Sequence, residues 1–239
     1  MKILLTAFVV VVAFASCFNP LKKTITGSGN VTSDERSLGS FTEIKCSGSY
    51  DVQLTQGDPA SVKIETDDNL MPYILFDVDG NELHIHSKDN VSLKPTNKIK
   101  LIITTSKVEA FSLSGSGDVA TTNKLTGADH LNLDISGAGT MHFDVNTPTI
   151  HSNISGTGDI FLTGETRNSK IEIAGNGNYH AEDLKAENAS VHIAGSGDAR
   201  LFADSTLDIN IAGVGNVYYK GDASITQNIA GSGKIKKIE

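Results

Sequence analysis

The chain has 239 residues and carries 20 Lys and Arg against 28 Asp and Glu, a formal net charge of −8. That balance argues against a nucleic-acid partner, which demands a basic face. Glycine is abundant at 23, proline scarce at 5 and tryptophan absent. Short alternating stretches rich in Val, Ile and Thr stand where a helical protein would show long amphipathic patterns, so the chain reads as all-β.

The N-terminus, MKILLTAFVVVVAFASC, has Lys2, an apolar run from Ile3 to Ala15, small residues and then Cys17. The run is shorter than the roughly 20 apolar residues a spanning helix needs, so it reads as an export signal. The segment FASC resembles a bacterial lipobox, with Phe14 where Leu is usual. Residues 1–16 are then a signal peptide, and Cys17 is the lipidation site and the sole membrane attachment. An ordinary secretory signal is the competing reading; both export the chain. With Cys17 acylated, Cys46 is the one free thiol, and no disulfide framework forms within the chain.

Residues 17–40 read as a tether and an entry strand, with GSGN at 27–30 as a decayed corner. In 41–110 the pattern is irregular. IKCSGSYDVQL at 44–54 places Gly48 at a corner, and Cys46, Val52 and Leu54 in the core. SVKIET, ELHIHS and KIKLIITT, starting at 61, 82 and 98, read as strands. VDGNEL at 78–83 carries an Asp-Gly hairpin signal, so one pair here is predicted antiparallel. NLMPYI at 69–74 reads as a loop or short helix.

From residue 111 the chain repeats. Paired glycines stand at Gly115 and Gly117, Gly137 and Gly139, Gly156 and Gly158, Gly175 and Gly177, Gly195 and Gly197, Gly213 and Gly215, and Gly231 and Gly233. The steps between first glycines are 22, 19, 19, 20, 18 and 18 residues, a period typical of solenoid coils. Two residues before each first glycine stand Leu113, Ile135, Ile154, Ile173, Ile193, Ile211 and Ile229. A column of Ser or Ala separates these from the corner and suggests crowding there. Apolar and polar columns alternate on both sides, so each Gly-x-Gly joins two short strands at a tight corner. Stacking such coils about 4.8 Å apart gives a parallel β-solenoid of 18–22 residues per coil, spanning 41–239.

Other chemistries for Gly-x-Gly fare worse. A dinucleotide fingerprint opens a helix, whereas every corner here is followed by a strand. Calcium solenoids need a repeated oxygen set. The column three residues past each first glycine is mixed: Asp118, Thr140, Asp159, Asn178, Asp198, Asn216 and Lys234. No catalytic residues, metal site or cofactor are assigned. His84 and His86 share one face of a strand at a spacing that could hold a metal; surface positions on a sheet edge are the simpler reading. Five residues past the corners, His142, Phe161, His180, Arg200 and Tyr218 form one outward column, the candidate partner-binding face.

The lipobox-like start, GSGNVTSDERSLGSFTEIKCSGSYDVQLTQGD at 27–58 and the serial corners resemble the head GIN domain family, autotransporter-adhesin-like proteins of bacterial envelopes. The resemblance implies a right-handed, pectin-lyase-like parallel β-helix without that fold's catalytic residues, and a role in adhesion. The expectation is therefore a non-catalytic envelope lipoprotein of the outer membrane that binds a glycan or protein, with self-association through open coil ends. A polysaccharide-active β-helix enzyme is the alternative.

Overall fold

The computed structural model of the protein describes residues 22–239. The signal and the Cys17 lipidation site lie outside the described residues. What is described is a parallel β-solenoid with two stacked ladders of strands. In one, His130–Gly137, Thr149–Gly156, the second half of Asp159–Gly175, the second half of Asn178–Gly195, Thr206–Gly213 and Ser224–Gly231 pair in parallel succession. In the other, Asp118–Thr121, Thr140–Asn146, the first halves of the same two long strands, Ala199–Phe202, Val217–Lys220 and Ile235–Lys237 do the same.

The register matches repeat to repeat. Ile135, Ile154, Ile173, Ile193 and Ile211 are direct partners in the ladder, and each is at most 2 % exposed. Burying such a side chain contributes about 1.5–3 kcal/mol, so the isoleucine stack is a leading source of stability. Ile229, in the last coil, is 36 % exposed because no further described coil covers it.

The two glycines of a corner share one reason, since a Cβ at either would collide with a carbonyl oxygen of the coil before, and the first adds a second. Gly175 has φ +131°, a backbone region that side chains disfavour. Gly177 has no such dihedral, but a Cβ there would collide with the carbonyl oxygen of Gly158 in the coil before. The Ser and Ala residues beside the corner, such as Ser155 and Ala174, are exposed. The crowding therefore lies on the glycine backbone, not in that column.

The first coils do not stack in chain order. The coil of Glu43–Ser47 and Tyr50–Gln56 lies between the later coil of Glu82–Ser87 and Ile99–Thr105 and the coil that begins at Ala110–Gly115. The chain lays down one coil, passes beneath it, then climbs past it. Glu109 pins the crossover: its backbone N–H donates to the Thr42 carbonyl at 2.8 Å, and its carboxylate accepts from the Thr42 hydroxyl at 2.7 Å. Cys46 sits in the isoleucine column between Ile85 and Leu113.

Antiparallel strands close this end. Ser61–Asp67 pairs with Ile99–Thr105 and with Val31–Ser37, and Ile74–Asp79 forms the expected hairpin with Glu82–Ser87. The 69–74 segment holds a 3-10 turn, Met71–Tyr73. GSGN at 27–30 is not a corner. It is a loop clasped by side chains: Asp67 accepts from the Gly29 backbone at 2.8 Å, and Asp68 accepts from Asn30 Nδ2 at 2.8 Å. The glycine-rich spelling is shared with the corners, but the strand after it runs antiparallel, so no coil can form.

Candidate binding face

Outward positions of the second ladder bring the predicted column together. His142, Phe161, His180, Arg200 and Tyr218 are successive register partners, one per coil. The His142 and Phe161 rings stack at 4.5 Å with 13° between planes, and those of Phe161 and His180 at 4.4 Å with 7°. The Arg200 guanidinium lies 4.9 Å from the Tyr218 ring centroid, a cation–π contact. Coil spacing dictates this: parallel strands at about 4.8 Å hold planar side chains at near-stacking distance.

The stack determines what a partner can touch. The two faces of Phe161 are taken by histidine rings, so it offers its edge. Both histidines offer ring nitrogens, and Arg200 offers N–H donors beside a phenol. At the other end of the stack, Ala120 is the register partner of His142. Its methyl group is too small to cover an imidazole, which leaves one face of His142 open for a flat apolar group.

Two flanking features complete the face. Asp159, Asn178, Asp198 and Asn216 form a hydrogen-bonded ladder. Asn178 donates its backbone N–H and its Nδ2 to Asp159 Oδ1, both at 2.9 Å, and Asn216 does the same to Asp198 Oδ1 at 2.8 and 2.9 Å. The mixed Asp and Asn column is thus a donor–acceptor alternation, which identical carboxylates could not provide. Among the described residues no group of three or more His, Cys, Asp or Glu is placed to hold a metal ion. On the far side, Lys185 Nζ lies 4.1 Å from the Phe202 ring centroid. No sequence pattern marks this pair, because Lys185 and Phe202 fall on different coils and at no shared distance from a corner.

His84 and His86 are not on a sheet edge. Their strand is flanked by Glu43–Ser47 and Ile74–Asp79. The two rings stack at 4.4 Å. His86 Nε2 is 2.8 Å from Asp77 Oδ2, and its Nδ1 is 3.1 Å from the Ser87 carbonyl oxygen. The Asp77 hydrogen bond holds His86 above the usual histidine value. His84 is pushed below it, first by burial and then by the charge of His86. Cys46, fully buried, has its thiol raised to about 12, so it is core and not a nucleophile.

Residues 40–223 match the family described as "Putative auto-transporter adhesin, head GIN domain". The chain belongs to the head GIN domain family. No protein of curated function matches this head GIN chain. Solved structures do. A protein of Bacteroides fragilis described as a "putative adhesin" is 26% identical, with a TM-score of 0.85 over 90% of this chain and 100% of that one. A "putative lipid binding protein" of Parabacteroides distasonis is 26% identical, with a TM-score of 0.75 over 91% and 100%. A "putative adhesin" of Parabacteroides merdae shares the fold at 21% identity and a TM-score of 0.72, over 91% and 100%. The head GIN domain here is therefore adhesin-like, as expected of an exported or cell-surface protein.

Proposed function

We propose that this protein is a non-catalytic binding module of the bacterial outer membrane, anchored by a lipid on Cys17, that holds a glycan or protein partner on its stacked face. One observation carries the reading: His142, Phe161, His180, Arg200 and Tyr218 form one outward column, one residue per coil. Aromatic and arginine side chains concentrate binding energy where they are held rigidly, and here the coils hold them before any partner arrives. The lipobox-like FASC and the adhesin-like neighbours support the anchor and the setting.

The test is binding of the purified protein to glycan and envelope-protein arrays, beside Phe161→Ala and Arg200→Ala. Binding that both substitutions weaken supports the reading; binding that neither affects moves the site elsewhere. Release of reducing ends or unsaturated sugars from any glycan would replace it with an enzymatic one. Globomycin sensitivity of processing and protease accessibility on whole cells test the anchor and its leaflet.

A further inference from the structure

The coil of Glu82–Ser87 and Ile99–Thr105 lacks a Gly-x-Gly corner. Where other coils turn in two or three residues, residues 88–98 swing outward as an arm. Its strand Val91–Lys94 pairs in parallel with Lys23–Thr26 instead of stacking on the solenoid. In the coil above, Tyr50 stands where the corner's second glycine belongs, and its ring packs against Gly48. The space a normal corner would fill is left as a cleft of about 690 Å³. That is within the usual range for small-molecule sites.

The lining of this cleft is chemically mixed. Hydroxyl-bearing Ser47, Ser49, Ser87 and Tyr50 line it, with His84 hydrogen-bonded to Ser47 at 3.2 Å. Leu93, Pro95 and Ile99 give it apolar surface. Lys22 and Lys88 line the cleft against a single carboxylate, Asp89. Lys45 is the register partner of His84. Asp77 is already engaged by His86, and Glu82, on the same strand as His84, lies outside the lining. In a chain of net charge −8, this is a local excess of positive charge beside a cluster of hydroxyl donors. Cationic side chains and hydroxyl donors together suit an oxyanion, and the apolar surface suits the body that carries it.

We propose that this cleft is a binding site for a small organic anion, a carboxylate or phosphate borne on a sugar-sized body. It is separate from the stacked face, none of whose five residues lines it. The test is titration of the whole protein with sodium glucuronate, glucose 6-phosphate and glucose at matched ionic strength. Binding is followed by calorimetry and by the imidazole C–H resonances of His84 and His86. The expected result is saturable millimolar binding of at least one anion, about tenfold tighter than glucose. Lys88→Ala and Ser47→Ala should each weaken it about threefold or more with melting temperature unchanged, while Phe161→Ala leaves it intact. The preferred anion distinguishes a carboxylate site from a phosphate site. No saturable shift, equal binding of glucose, or unchanged affinity in both cleft variants would overturn the proposal.

Discussion

The rings of Phe161 and His180 lie 4.4 Å apart and within 7° of parallel, although 18 residues of chain separate them. The contact is made by register alone: the two residues are partners in a parallel ladder. Replacing Phe161 with Ala removes the middle of the stack and separates the two histidines. We expect a stability loss of about 1–2 kcal/mol, since the ring is only half-buried. Loss of partner binding should exceed what the fall in stability explains. Urea unfolding beside binding titrations measures both.

Ile173 and Glu172 are neighbours on opposite faces of one strand. Ile173 is 1 % exposed inside the stack, whereas Glu172 is exposed and paired with Lys170 at 2.6 Å. Ile173→Asp buries an unpaired carboxylate in the core and should leave little folded protein, a loss above about 4 kcal/mol. Glu172→Ala should cost under about 0.5 kcal/mol, as surface ion pairs do. Similar melting temperatures for the two variants would refute the register.

Gly175→Ala and Gly177→Ala should both destabilise, by about 1–3 kcal/mol each. Both drive a methyl group into a carbonyl oxygen of the coil before, that of Gly156 or of Gly158, and the first also forces a side chain onto a positive φ. Thermal unfolding of the two variants measures both losses.

The two stacked histidines respond to pH in opposite directions. His86 is raised by Asp77, so its stabilising contribution is full below the unfolded value near 6.5 and fades as pH rises through the raised folded value. His84 is lowered, so it contributes above about 6.5 and loses that contribution as pH falls toward its folded value. His86→Ala should therefore cost more at about pH 5.5 than at about pH 8, and His84→Ala the reverse. Urea midpoints at the two pH values check both signs.

Cys46 should resist alkylation in the native protein. Its thiol is buried and raised to about 12, so almost no thiolate forms at neutral pH. Iodoacetamide labelling followed by peptide mass mapping should find Cys46 unmodified in buffer and fully modified in denaturant. Rapid native labelling would place it outside the core.

The regular coils were legible because their physics is local and repeated. A bend every 18–22 residues needs glycine, an inner ladder needs isoleucine at one fixed offset, and seven copies confirm each other. The outward column could be read for the same reason, since one offset from the corner places all five residues. The sequence alone thus determined the coil, its buried residues and its alternating faces. It could not determine the order of the first coils. Parallel pairing is satisfied equally well above or below, and only the tertiary structure places Glu43–Gln56 between two later-formed layers. Nor could it distinguish a corner at 115–117 from the clasped loop at 27–30, which share their spelling and differ in the direction of the next strand. The cleft was hidden most deeply, because it exists where a corner is missing, and Tyr50, His84 and the arm meet there only through stacking. Local pattern fixes which way each side chain points; long-range pairing fixes which side chains become neighbours.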